Sequence, residues 1–183
     1  MFFLFYLFVI CQRLVELKIA KRNENLMKKK GAVEFGQGHY GYMVLLHIAF
    51  LLALLIEVLY LSKEVSPFWP LLISLFIGTQ VMRVWAIASL GMFWNTKIII
   101  LPNADVVKKG PYRFLRHPNY LVVSLEIIII PLLFQAYITA FIFTILNAWM
   151  LSVRIPMEEK ALNNTTSDYS NYVQEKSRFT PKI

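Results

Sequence analysis

Residues 110–120 read Gly110-Pro111-Tyr112-Arg113-Phe114-Leu115-Arg116-His117-Pro118-Asn119-Tyr120. They are polar, aromatic and basic, and they run directly into the apolar segment 121–134. Side chains capable of chemistry therefore stand at the mouth of a membrane-grade segment. Pro111 and Pro118 stiffen the two ends. Arg113, Arg116 and His117 offer donors to a carboxylate or phosphate, and Tyr112 and Tyr120 offer rings and hydroxyls. The same residue types also make an ordinary interfacial belt, so the stretch alone leaves both readings open.

Composition decides the setting. Of the 183 residues 57% are apolar, more than a soluble chain of this length can bury, and mean hydropathy is positive. An integral membrane protein is expected, with too few polar residues for a second soluble domain. The fold class is all-α, a polytopic bundle of about five helices forming one domain over 1–183. A three-helix part covers 1–90, and a second part with a helical hairpin and tail covers 91–183. Cys11 has no partner cysteine and reads as a small apolar residue.

A crossing helix needs roughly 20 apolar residues. The first candidate span is 2–20, interrupted by Gln12, Arg13 and Glu16. It lacks a basic region before it and a small-residue cleavage site after it, so it reads as a retained helix. Arg13 and Glu16 are spaced i, i+3 and can neutralise one another. The next spans are 42–61 and 68–90. The fourth is 121–134, with Pro118 as its earliest start, and the fifth is 138–153. Only Gln135, Ala136 and Tyr137 join the last two, which predicts a tight antiparallel hairpin.

Lys and Arg concentrate in three places: 18–30, 97–116, and the tail with Arg154, Lys160, Lys176, Arg178 and Lys182. With five spans, this pattern puts the N-terminus outside and the tail in the cytoplasm. The formal net charge of +8 belongs to this pattern. The Lys28-Lys29-Lys30 run adjoins a span, so anionic lipid headgroups rather than nucleic acid explain it.

Between spans, residues 31–40 read as a glycine-containing loop without nucleotide-binding spacing. His39 and His47 are candidates for a site, though packing explains either. Residues 97–101 read as a short strand, 102–105 as a turn, and Val106-Val107 as the returning strand of a small hairpin over the membrane face. Glu126 lies inside the fourth span, where a charge is costly. It either lines a route for a lipidic ligand or makes a structural hydrogen bond. Beyond the fifth span, Arg154 and Glu158 share a helix face unless Pro156 breaks it. Glu158 and Glu159 need cationic partners, for which Arg113, Arg116 and Arg154 are available. In the tail, Tyr169, Tyr172, Arg178, Phe179 and Pro181 recur at helical or turn spacing, which an amphipathic surface helix also explains.

Taken in order, Gly110-x-Tyr112, Arg116-His117-Pro118-x-Tyr120, a helical hairpin, Arg154 with Glu158-Glu159 and Leu162, Tyr169 with Tyr172, and Arg178 with Pro181 resemble the isoprenylcysteine carboxyl methyltransferase family. The resemblance covers the second half of the chain. The first half resembles bacterial members through Arg13-Leu14-Val15-Glu16-Leu17, Arg22-Asn23, Gly31-Ala32-Val33-Glu34 and His39-Tyr40. It implies a membrane O-methyltransferase using S-adenosylmethionine, bound between the cytoplasmic ends of the last two spans and the tail. It also implies a lipidic acceptor: an isoprenylcysteine-like carboxylate, or the hydroxyl of an alkylpyrone or phenolic lipid made beside a polyketide synthase. For a bacterial cell membrane the second class fits better.

Carried over residue by residue, the cofactor site is Tyr112, Arg116, His117, Pro118, Tyr120, Glu158 and Glu159. Arg154 and Glu158 are the catalytic candidates, and no metal is implied. Many members have a glycine after the last tyrosine of the motif, where this chain has Leu121-Val122-Val123-Ser124. Two other classes stay in view. Membrane sterol reductases carry a similar Arg-His-Pro-x-Tyr region and use NADPH, and a non-catalytic membrane scaffold is the third.

Overall fold

The computed structural model describes residues 1–166 and 169–179. Pro181 and Lys182, named above for the tail, lie outside them. The elements in chain order are α1 (Phe2–Lys29), β1 (Val33–Phe35), α2 (Gln37–Tyr60), α3 (Trp69–Leu90), β2 (Ile98–Ile100), α4 (Pro118–Leu133), α5 (Tyr137–Thr165) and α6 (Tyr169–Glu175). Single 3₁₀ turns at Gly91–Phe93 and Gly110–Arg113 flank β2.

Among the described residues, three helices are long and apolar enough to cross a membrane: Gln37–Tyr60, Trp69–Phe93 and Tyr137–Thr165. Helix α4 is also apolar but has 16 residues, about 24 Å at 1.5 Å per residue, short of a typical hydrocarbon core. Helix α1 has 28 residues, but Gln12, Arg13, Glu16 and Lys18 dilute its apolar run. The bundle centre is Leu46, Phe50 and Leu54 of α2, Phe76 of α3, Ile127, Ile130 and Leu133 of α4, and Phe143 and Met150 of α5. Leu, Ile and Phe on the outer faces of α1, α2, α3 and α5 remain exposed, as a lipid-facing surface requires.

Hydrocarbon gives apolar helices little reason to prefer one another over lipid, so polar ties matter. Glu57 and Glu126 anchor two of the ties in this bundle. Glu57 of α2 is buried and accepts hydrogen bonds from the backbone N–H of Ile138 (3.1 Å) and Thr139 (2.7 Å) and from the Thr139 hydroxyl (2.6 Å). It thereby satisfies the free N–H groups at the start of α5. The second tie fastens α1. Arg13 pairs with Glu16 at 2.9 Å, as its i, i+3 spacing predicts, and also with Glu126 of α4. Arg83 of α3 bridges Glu16 (2.8 Å) and Glu126, and Gln80 donates to Glu126 at 2.7 Å. Glu126 is 1% exposed. Of its two readings from sequence, the structure gives the structural bond.

The expected hairpin between 97–101 and Val106-Val107 is not formed. Strand β2 pairs instead with β1, antiparallel, with Val33 opposite Ile100 and Phe35 opposite Ile98. Asn103 takes a φ of +60°, and its N–H is held by the Thr165 carbonyl at 3.0 Å, which fastens this turn to the end of α5. Glu34 on β1 meets both Lys28 (2.8 Å) and Lys97 (3.1 Å), which fixes the observed pairing electrostatically. The stretch read as a loop, 31–40, thus holds a strand and the first turn of α2.

Helix α5 runs unbroken through Pro156. Its apolar stretch ends by Val153, so its last three turns project past the membrane-spanning part. They carry Arg154, Glu158 and Glu159 out to meet the segment before α4.

Candidate functional site

Gly110 begins the turn that seats the opening stretch on α3. Its φ is +55°, and a Cβ there would stand 1.9 Å from Ser89 Oγ, so any other residue would strain the backbone and clash. Pro111 and Tyr112 are buried beyond it. Pro118 opens α4, at a position where a missing N–H costs nothing.

The tail folds back over this segment. Tyr172 of α6 donates to the carbonyls of Tyr112 (2.8 Å) and Leu115 (3.2 Å). Burial, tempered by the Arg116 charge, pushes its phenol up to about 12, so it serves as a neutral donor. Leu115 and Ser177 form a parallel bridge, and the N–H groups of Arg116 and His117 donate to the carbonyls of Ser177 (3.0 Å) and Arg178 (3.3 Å). Glu159 is the clasp. It accepts from Arg116 (2.7 Å), from His117 Nε2 (3.1 Å) and from both Arg178 Nη2 (2.6 Å) and Nε (3.1 Å). Burial would raise its carboxyl, but the His117 and Arg178 hydrogen bonds and the Arg116 charge overcome that and hold it down at about 2. Arg113, offered from sequence as a partner for the acids, is exposed and lies over Phe114 instead.

Glu158 points the other way. It accepts from the Tyr120 hydroxyl, which accepts in turn from Arg154 Nε at 2.8 Å. Arg154 Nη2 donates to the Thr96 carbonyl, and Thr96 Oγ1 is 3.3 Å from the Tyr40 hydroxyl. Arg154 is 3% exposed and Tyr120 half-buried, so the chain Arg154–Tyr120–Glu158 is fixed inside the protein.

This chain lies on the wall of a cavity of about 540 Å³. Toward the tail the wall is Tyr112, Arg116, His117, Asn119, Glu158, Tyr169 and Tyr172, with β2 and residues 104–107 covering one side. Toward the bilayer it is mostly apolar, from Ile10, Leu14 and Leu17 of α1, Met43, Val44 and Ile48 of α2, and Val123 and Leu151. Of the residues expected at the site, Tyr112, Arg116, His117, Tyr120, Arg154 and Glu158 reach this wall. Pro118 and Glu159 do not, and their geometry is that of a helix start and a clasp. His47 lines the cavity. His39 does not; it packs on Gly36, whose φ of +64° brings the backbone against its ring.

The wall residues Trp94 and Thr96 escaped the sequence reading, Asn119 had no role in it, and Tyr169 entered only through the tail pattern. Among the described residues, Trp94 Nε1, Asn119 Oδ1 and Tyr169 Oη are buried without a hydrogen-bond partner, a costly state unless a ligand or water satisfies them. Burial, then the charges of Glu159 and Glu158, raises the Tyr169 phenol, so its proton stays available to donate. Thr96 contributes through its carbonyl, which no residue type signals.

Comparison with known proteins places this geometry in a lineage. The model of the isoprenylcysteine carboxyl methyltransferase (ICMT) family matches residues 71–164, just over half the chain, and spans Tyr112, Arg116, His117, Asn119, Tyr120, Arg154 and Glu158 of the cavity's polar wall. The uncharacterized protein YpbQ of Bacillus subtilis is 49% identical over 162 residues, covering 88% of this chain and 96% of that protein. An uncharacterized protein of Haemophilus influenzae is 28% identical over 157 residues, covering 85% and 91%. A polar pocket closed by its own tail, opening sideways through apolar helices, and the match across residues 71–164 lead to one assignment: this chain belongs to the isoprenylcysteine carboxyl methyltransferase family.

Proposed function

We propose that the protein is an S-adenosylmethionine-dependent O-methyltransferase of the cell membrane, acting on a lipidic acceptor, with its N-terminus outside and its site on the cytoplasmic side. The acceptor is an isoprenylcysteine-like carboxylate or, favoured here, the hydroxyl of an alkylpyrone or phenolic lipid supplied by a polyketide synthase. The observation that carries the reading is the convergence of Arg154 and Glu158 on the Tyr120 hydroxyl, at the boundary between the polar and apolar halves of one cavity.

The residues present suit the cofactor. The Glu158 carboxylate can face its cationic amino or sulfonium group, and Arg116 and His117 can face its carboxylate. Trp94, Asn119 and Tyr169 bring unpartnered polar atoms for its remaining groups. When bound, S-adenosylmethionine supplies a methyl carbon activated by the sulfonium. The chain's own residues then have three tasks. Arg154, held by Tyr120 and Thr96, presents positive charge to the acceptor oxygen and favours its ionised, attacking form. Tyr120 fixes the spacing between that cation and Glu158. The covering β2 segment and tail exclude water, which suits a displacement in which charge is lost from the reacting groups.

The test is calorimetric titration of S-adenosylhomocysteine and, separately, NADPH into the protein in nanodiscs. S-adenosylhomocysteine binding that is lost in Glu158→Ala supports the reading. Binding of NADPH alone would replace it with a reductase, and binding of neither would favour a scaffold.

A further inference from the structure

The apolar half of the cavity ends on a polar floor. Arg13 of α1 and His47 of α2 both line its inner end. They also border an adjoining void of about 20 Å³, together with Glu126 and the apolar Val9, Phe50, Leu51 and Ile127. A void of that size holds about one oxygen-sized group. His47 is seven residues along α2 from Tyr40, which meets Thr96 beside Arg154. Two helical turns place the floor roughly 10 Å below the Arg154 level.

The chemistry of the floor is specific. His47 Nδ1 lies 2.8 Å from the Met43 carbonyl. A carbonyl only accepts, so Nδ1 carries the hydrogen and Nε2 of the neutral ring is an acceptor. Nε2 has no partner among the described residues. Arg13 gives Nη1 to Glu16 and Nη2 to Glu126. Its Nε hydrogen makes no bond among the described residues. One side therefore offers a donor and the other an acceptor. A hydroxyl, which accepts and donates through one oxygen, completes both, whereas a carbonyl answers only Arg13 and a methylene answers neither. Charged and polar groups lining an intramembrane cavity are a functional signature.

We propose that Arg13 and His47 form a second polar subsite that recognises a hydroxyl of the acceptor lipid, roughly 10 Å from the oxygen that receives the methyl group. This rests on the methyltransferase reading above and narrows its substrate class to lipids with two separated oxygen functions. The hydrocarbon remainder leaves sideways past Leu14, Leu17, Val44 and Ile48, which are exposed at the cavity's edge.

The test uses protein labelled with nitrogen-15 at histidine, in nanodiscs. Only three histidines are present, and His47→Leu assigns the relevant ring. Stearate, 2-hydroxystearate and 10-hydroxystearate are titrated, with and without S-adenosylhomocysteine. Only the last carries its hydroxyl at about the required distance from its carboxylate. It is expected to shift the His47 Nε2 signal and to bind about tenfold more tightly than stearate, an advantage that His47→Leu removes. Equal binding of all three, or an unmoved His47 signal, would overturn the subsite and leave the void to a water molecule. The S-adenosylhomocysteine titration separately decides the methyltransferase reading. If that fails, the cofactor-free titration still decides the subsite.

Discussion

Arg154 Nε donates to the Tyr120 hydroxyl at 2.8 Å, so the side chain proposed to face the acceptor is held by the same residue that bonds Glu158. Tyr120→Phe keeps the ring and deletes this junction. Losing a hydrogen bond to a charged group costs about 1.5–3 kcal/mol, which predicts a fall in kcat/KM of about 10- to 100-fold. Transfer of radiolabelled methyl groups into extracted lipids measures it, and an unchanged rate would remove Tyr120 from the machinery.

Arg154→Lys keeps the charge but replaces two separate, coplanar donors, Nε and Nη2, by one nitrogen, so the bonds to Tyr120 and the Thr96 carbonyl cannot both keep their geometry. The expected result is a lower kcat with S-adenosylhomocysteine affinity kept within about threefold. A parallel collapse of that affinity would place Arg154 on the cofactor instead.

Glu159 gives the closed tail a pH dependence. Its carboxyl is held at about 2, against an ordinary 4.5, by hydrogen bonds from His117 and Arg178 and the Arg116 charge acting against burial. A carboxylate depressed on folding contributes stability that is complete above the ordinary value, is lost as pH falls from 4.5 toward 2, and is absent below that. The wild-type unfolding midpoint should therefore drop more steeply across that window than that of Glu159→Gln. Parallel curves would show that the clasp adds nothing.

Glu57 supports two backbone N–H groups and a hydroxyl at the buried start of α5. Glu57→Ala leaves all three without a partner and is expected to destabilise the bundle by about 2–3 kcal/mol. Thermal unfolding in nanodiscs reads the change, and a shift within error would mean that lipid headgroups or water replace the carboxylate.

Glu126→Leu leaves Arg13 and the buried Arg83 sharing Glu16 alone, one positive charge in excess, and is expected to cost about 3–5 kcal/mol. Adding Arg83→Met should restore most of that, because Arg13 and Glu16 remain as a neutral pair. If the double variant is no more stable than the single one, Arg83 holds the bundle by packing rather than charge.

What was legible in the sequence follows from interaction range. The α4–α5 hairpin was readable because only three residues separate two apolar runs. The meeting of residues 110–120 with Arg154, Glu158 and the tail was readable because charged side chains at a membrane boundary need partners. The pairing of β2 was not, since β1 is three residues long and its partner is chosen by Lys28, Lys97 and the Asn103 turn. Which acid served which cation was likewise hidden. Glu158 and Glu159 are neighbours, yet the helix turns one to Tyr120 and the other to Arg116, His117 and Arg178. Glu126 looked equally suited to a route or a bond until α3 supplied Arg83 and Gln80, residues whose facing direction no local pattern discloses.

The fastening of α1 also bears on how the protein is made. Arg13 precedes its partner Glu126 by 113 residues, and at 5–20 residues per second the ribosome needs roughly 6–23 s to deliver it. Until Arg83 and then Glu126 are synthesised, Arg13 and Glu16 of α1 have only each other as charged partners. The helix is thus poorly suited to release into lipid on its own. Full neutralisation of its charges waits on the arrival of α3 and α4.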